Sequence, residues 1–138
     1  CIRDSPRSAQ AAFQIGAVSE KLSCPSEAVA AYRKSLRQQK NYVPALNNLA
    51  WLLATTTEAD LRAPAEALEL AELAARETGF ESAAILDTLA TAQFAAGDKA
   101  AAIATLKRAI PLAAAAKQSA FSAELSKKLM NYQGSSTQ

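Results

Sequence analysis

Apolar residues recur every three or four positions through most of this 138-residue chain. That spacing gathers them on one face of an α-helix, whereas strict alternation would indicate a half-buried strand. The pattern therefore predicts seven helices joined by short polar segments. The expected helices cover about 8–22, 25–39, 44–55, 64–77, 82–96, a segment from 99 onward that contains Ala102 to Ile110, and 118–132.

Local signals define several ends of these helices. Pro25 suits the first helical position, where its missing N–H costs nothing, and Asp98 is an expected N-cap. Gly79 suits the end of the fourth helix. Pro111 removes one backbone hydrogen bond, so the sixth helix is expected to kink near Lys107 or to end there.

Small residues repeat at fixed distances along these helices. Gly16 and Ala28 lie 12 positions apart, Ala90 and Ala102 lie 12 apart, and Ala50 follows Gly16 by 34. A small side chain at both sites lets two helices approach closely, and a period of 34 is typical of a helix–turn–helix repeat. Such repeats stack into a solenoid that offers a surface rather than a reaction.

Composition and charge narrow the possible functions. Half of the residues are apolar, a fifth are charged, and the net charge is +2, which is too small to indicate nucleic acid as the main partner. The basic residues nevertheless form two groups, which we interpret as solvated helix faces, with phosphate or lipid binding as the alternative. These groups are Arg33, Lys34, Arg37 and Lys40, and then Lys127 and Lys128.

Residues that would support catalysis or metal binding are scarce. The chain has no histidine, and its two cysteines cannot form a structural zinc site alone, so we expect no metal and no cofactor. A disulfide between Cys1 and Cys24 is possible but is not established by the sequence. Acidic residues could pair in principle, yet their spacing matches solvated helix faces, and no phosphate loop or nucleophile motif is present. We therefore predict that this chain is not an enzyme, although a catalytic domain elsewhere in a parent protein remains possible.

The start of the chain and its compartment stay open at this stage. Cys1 in place of methionine fits either a lipidated mature protein or a piece of a longer protein, and we favour the second. No run of about 18 apolar residues is present, so we expect no transmembrane segment. Both cytoplasmic and periplasmic locations fit the sequence.

At the matched positions the chain resembles the tetratricopeptide repeat family. The resemblance covers about 9–132, and the phrase LNNLAWLLAT at 46–55 is similar to a bacterial subgroup in which such phrases lie near the end of a longer array. The matching residues fall into three repeats. They are Ala12, Ile15, Gly16, Ser19, Ala28, Tyr32 and Ser35; Leu46, Leu49, Ala50, Leu53, Ala67, Ala71 and Ala74; and Leu86, Leu89, Ala90, Gln93, Ala102, Leu106 and Ala109.

The chain departs from the family pattern in three respects. The aromatic residue at repeat position 11 is missing from all three repeats, and Lys40 stands where the first repeat should have proline. The second repeat carries an insertion, whose loop at 56–63 is either functional or merely tolerated, because extra loop length costs little.

The resemblance implies a right-handed, all-α solenoid of three helix–turn–helix repeats with a C-terminal capping helix. The expected organisation is a flexible lead-in at 1–8, a single domain at 9–132 and a frayed tail at 133–138. Within the domain, the repeats cover about 9–42, 43–82 and 83–116, and the capping helix covers 117–132.

In this family the first helix of each repeat lines a concave groove. By position, the groove would contain Gln10, Phe13, Ala17 and Glu20; Pro44, Asn47, Trp51 and Ala54; and Ala84, Asp87, Thr91 and Phe94. Trp51 lies about 200° around its helix from Leu49, so both residues cannot face the same core.

We therefore predict a partner-binding groove centred on Trp51. Trp51 would provide the largest contact area, although packing between repeats is an equal alternative for it. The other predicted binding residues are Phe13, Asn47, Asn48, Asp87, Thr91 and Phe94. Of the positions with which some family members hold a peptide's terminal carboxylate, only Asn48 matches, so we do not expect that mode.

The leading hypothesis is a non-catalytic module that binds a peptide or protein segment. The alternatives are a structural or self-associating segment at the end of a longer array, and an accessory domain of a larger, possibly enzymatic protein.

Overall fold

The computed structural model describes residues 8–134, and this part of the chain is helical without strands. It contains α1 (Ala9–Lys21), α2 (Pro25–Gln38), α3 (Val43–Thr55), α4 (Pro64–Glu77), α5 (Ala83–Ala95), α6 (Lys99–Ala115) and α7 (Ser119–Gly134). The expected lead-in at 1–8 lies almost wholly outside this range, and so does Cys1, the possible disulfide partner of Cys24. None of the described helices is long and apolar enough to cross a membrane.

The helices pack in the order in which they occur in the chain. The pairs α1–α2, α3–α4 and α5–α6 each form extensive contacts, and α2 lies against α3 as α4 lies against α5. Helix α3 also contacts α5, and α7 packs on α6. This is a stack of three helical hairpins with a seventh helix at the end, so the predicted all-α solenoid is confirmed.

Small residues permit this close stacking. Ala28, Ala50, Ala90 and Ala102 have no exposed surface, and Gly16 is also buried. With only a methyl group or a hydrogen atom at each site, the helix backbones can approach closely while still excluding water. The small-residue spacing in the sequence therefore marks positions in the core.

The helix ends follow from local side-chain chemistry. The side chains of Ser8, Ser82 and Asp98 accept hydrogen bonds from the backbone N–H groups of α1, α5 and α6 at 3.1, 3.4 and 3.0 Å. Each bond satisfies one of the N–H groups that a helix leaves unpaired at its start. After α4 and α5, Gly79 and Gly97 adopt positive φ values of 66° and 96°, which glycine does at little cost.

Two helix ends differ from the sequence expectation. Helix α6 does not end near Lys107 but continues through Pro111 to Ala115. The buried residues Ala109 and Ala113 lie on either side of the proline, so packing holds the helix together there, while Pro111 itself is exposed. Helix α7 runs to Gly134, two residues beyond the expected end.

The insertion in the second repeat is held by hydrogen bonds. The N–H of Ala63 donates to Leu53 O at 3.0 Å, which ties the end of the loop to α3. At its beginning the N–H of Glu58 donates to Thr56 Oγ1 at 3.1 Å, and Thr56 is buried. The extra residues therefore form a fixed connection from α3 to α4.

Candidate functional site

The predicted groove residues lie on α1, α3 and α5, the first helix of each pair. Trp51 and Leu49 of α3 differ sharply, since Trp51 is 37% exposed and Leu49 only 1%. The two side chains therefore point to different sides of α3, as their angular separation requires. Trp51 is one of only four large apolar residues exposed within 8–134.

A lysine from α7 brings three of the predicted residues together. Lys128 Nζ donates hydrogen bonds to Asp87 Oδ1 at 2.6 Å and to Thr91 Oγ1 at 3.0 Å. The same ammonium group lies 5.0 Å from the centroid of the Trp51 ring, within the range of a cation–π interaction. Lys128 therefore connects the Trp51 surface to the polar residues of α5.

The predicted residue Phe94 is covered by the same helix. Its ring stacks on that of Tyr132, with centroids 4.0 Å apart and planes 1° from parallel. Burial raises the pKa of the Tyr132 hydroxyl; a hydrogen bond with Thr91 opposes this effect, and the charge of Asp87 adds to it. The side chains of α7 thus cover the α5 side of the predicted groove.

At the other end of the groove, Phe13 packs against two tyrosines. Its ring centroid lies 5.8 Å from that of Tyr32 and 6.0 Å from that of Tyr42. Tyr32 donates its hydroxyl proton to Glu20 Oε1 and accepts a hydrogen bond from Asn48 Nδ2 at 3.3 Å. Asn48 therefore takes part in a polar network at the buried Tyr32.

Two further residues that were predicted to line the groove are more buried than an open groove would leave them. Ala54 is only 3% exposed and belongs to the core, so its expected place in the groove is wrong. Asn47 is half-buried, and its Oδ1 is buried without a hydrogen-bond partner. An unsatisfied buried acceptor is costly and is rare in folded proteins.

The sequence did not identify Lys128 and Tyr132 as groove residues. Lys128 was assigned to a solvated face together with Lys127, and the structure corrects this, because only Lys127 is exposed. Lys128 and Tyr132 lie four residues apart and so share one face of α7. That spacing is a signal available in the sequence, but it does not show which helix this face contacts.

The chemistry of this site favours binding over catalysis. It combines exposed aromatic surface with one ion pair and several hydroxyl and amide groups. Among residues 8–134, no group of three or more cysteine, aspartate or glutamate side chains is placed to hold a metal ion.

Comparison with solved structures gives the class of fold. The TPR2B domain of yeast Sti1, in a structure titled as its complex with pHsp70, superposes with a TM-score of 0.78 at 23% identity. The match covers 93% of this chain and 98% of that domain. No family model and no curated protein matches the chain. The chain thus has the fold of a tetratricopeptide repeat domain.

Proposed function

We propose that this chain is a non-catalytic module that binds a peptide or protein segment along the groove beside Trp51. The main observation is an indole that is 37% exposed in a molecule whose other large side chains are mostly packed. A rigid aromatic surface loses little entropy on binding and often carries much of the binding energy at interfaces.

We infer that the open part of the groove lies along α1 and α3, because Lys128 and Tyr132 contact Asp87 and Phe94 of α5. A segment lying there would contact Trp51 and the exposed residues Gln10 and Pro44. Lys128 is already paired with Asp87, so it offers a partner only part of its charge. We therefore expect apolar contact with Trp51 to dominate over charge recognition.

The solved relative supports a protein partner for this fold. The structure of the Sti1 domain is titled as its complex with pHsp70, so in that case a domain of this fold binds pHsp70. In this chain Asn48 is already hydrogen-bonded to Tyr32 and Lys128 to Asp87. We propose an internal or apolar segment rather than a terminal carboxylate.

The test is affinity capture of partners with the wild-type chain and with Trp51→Ala. We expect Trp51→Ala to weaken capture at least about tenfold while helix content measured by circular dichroism stays nearly unchanged. Met130→Ala is the matched control, because Met130 is 69% exposed and takes no part in the groove contacts. Unfolding of the Trp51 variant would show that the indole supports the core instead.

A second candidate function is self-association or stacking within a longer array. Val18 and Leu22 of the first repeat are 43% and 58% exposed, whereas Leu52 and Thr56, 34 positions later, are each 8% exposed. In the second repeat Leu52 and Thr56 lie next to the start of α2. The equivalent residues of α1 have no preceding helix against them among residues 8–134, so α1 offers an uncovered copy of this stacking face. Sedimentation at two concentrations tests this proposal, and a monomer at both would count against self-association.

A further inference from the structure

A second concave surface lies between α2 and α4. It is a cleft of roughly 600 Å³ with an apolar floor formed by Leu36, Leu49 and Leu70. Leu49 lies about 200° around α3 from Trp51, so the cleft and the groove are on different sides of that helix.

The rim of the cleft carries an excess of positive charge. Arg33 and Arg37 of α2 and Lys40 of the following turn line it, together with a single carboxylate, that of Glu66 on α4. Both terminal nitrogens of Arg33 donate to this carboxylate, and the Nη2–Oε1 distance is 3.0 Å. No carboxylate between residues 8 and 134 pairs with Arg37 or Lys40, so within this part of the chain two positive charges border the apolar floor without compensation.

The equivalent surface one repeat later lies between α4 and α6, and one of its cations is held by other groups. Arg108 of α6 donates from Nε to Phe80 O at 3.3 Å, and its guanidinium lies 5.7 Å from the centroid of the Phe80 ring. The position that corresponds to Arg37 is occupied there by Arg76. The α4–α6 interval therefore also carries cations, but there Arg108 is engaged with Phe80.

We propose that this cleft binds a peptide segment that alternates leucine-like and acidic residues. The apolar side chains would lie on the floor, and the carboxylates would pair with Arg37 and Lys40 on the α2 rim. Charge complementarity of this kind selects partners and speeds their association.

The number of charges favours a peptide over a membrane surface. Recognition of anionic lipid by basic residues commonly uses clusters of about four to eight lysines and arginines. Here two cations without a partner among residues 8–134 flank an apolar floor of three leucines, which matches the side chains of one short segment. This proposal is independent of the groove, because no groove residue lines the cleft.

The experiment uses two fluorescently labelled peptides of about 12 residues. One alternates leucine and glutamate, and the other has lysine in place of glutamate. We expect fluorescence anisotropy to show binding of the glutamate peptide alone, and this binding should weaken as salt is added.

The variants locate the site. The double variant Arg37→Glu, Lys40→Glu should weaken binding of the glutamate peptide about tenfold or more. Leu70→Ala tests the apolar floor separately and should also weaken binding of the glutamate peptide. The single variant Arg37→Glu should weaken it as well, and its matched control is Arg76→Glu, which makes the same charge change one repeat later and should leave binding within about twofold.

Several outcomes would overturn the proposal: equal binding of both peptides, equal losses from Arg76→Glu and from the double variant, or binding to vesicles of anionic lipid without binding to the glutamate peptide. Trp51→Ala keeps the two sites distinguishable. Glutamate-peptide binding that survives this variant supports the cleft whatever the groove does, and binding lost with it would assign the peptide to the groove.

Discussion

Gly16 of α1 lies against the phenol ring of Tyr32 on α2. A Cβ atom at Gly16 would stand 2.5 Å from Tyr32 Cε1 and 2.6 Å from Cδ1, which is closer than such atoms normally approach. Tyr32 has no exposed surface, and its hydroxyl is held by Glu20 and Asn48. The ring therefore has little freedom to move away, and the close contact of α1 with α2 requires glycine.

This contact predicts that Gly16→Ala destabilises the domain. Alanine favours a helix over glycine by up to about 1 kcal/mol, but overpacking in a filled core costs about 1–3 kcal/mol. We expect the second effect to be larger, so that the free energy of unfolding measured in urea decreases.

A double-mutant cycle separates the clash from other effects of the methyl group. Tyr32→Leu removes the ring, so Gly16→Ala made in that background should cost little or should stabilise the helix. An equal loss of stability in both backgrounds would show that the ring is not what excludes a side chain at position 16.

The sequence predicted this interface and the orientation of Trp51 because both depend on local periodicity. Small residues at helical spacing mark where helices touch, and the angle between Leu49 and Trp51 follows from helix geometry alone. It did not predict that α7 would fill part of the groove. Lys128 contacts Asp87, which is 41 residues earlier in the chain. Such a pairing depends on how α7 packs, and the spacing of residues in the sequence does not show that packing.

Pro111 shows a local rule overridden by packing. Its ring should disfavour the helix at that point, yet α6 continues for four more residues, to Ala115. The helix remains because its buried face continues on both sides of the proline, with Leu106, Ala109 and Ala113 all fully buried. The sequence shows the cost of the proline but not the compensating burial against α5 and α7.

We therefore expect Pro111→Ala to raise stability. Proline in a helix interior costs about 3 kcal/mol relative to alanine, and since Pro111 is exposed we expect a gain of about 1–3 kcal/mol in thermal or urea unfolding. Pro64→Ala is the matched control, because Pro64 opens α4, where no hydrogen bond is lost. A gain of the same size from both substitutions would point to a general effect of losing proline.

The contact of Lys128 with Asp87 should also contribute to stability. The two side chains are 26% and 15% exposed, so the pair is less screened than Arg33–Glu66, whose side chains are 42% and 36% exposed. We expect Lys128→Met to cost about 1 kcal/mol, allowing for the remaining exposure, and to shift the fluorescence emission of Trp51.

Lys127→Met is the control for this experiment, because it removes a neighbouring charge on the exposed side of α7. It should change stability by less than about 0.5 kcal/mol and leave the emission of Trp51 unaltered. If Lys128→Met behaved in the same way, the ammonium group would not be anchored at the groove in solution.

Tyr32 leads us to expect a loss of stability in alkali. Burial, followed by the hydrogen bond to Glu20, raises the pKa of its hydroxyl well above the usual value of about 10. As pH rises past about 10, the unfolded chain loses the Tyr32 hydroxyl proton before the folded chain does. The contribution of this hydroxyl to the free energy of unfolding is therefore complete below that pH and declines above it. While only the unfolded form titrates, this one group should lower the free energy of unfolding by about 1.4 kcal/mol per pH unit.

The measurement is urea unfolding of the wild type and of Tyr32→Phe between about pH 8 and pH 11. Tyr32→Phe should be less stable than the wild type near pH 8, because the hydroxyl contacts with Glu20 and Asn48 are lost, but its stability should decline less steeply above pH 10. Tyr132, whose pKa is also raised by burial, adds a part of the decline that remains in this variant. If Tyr32→Phe followed the slope of the wild type above about pH 10, the Tyr32 hydroxyl would not be held in its buried network.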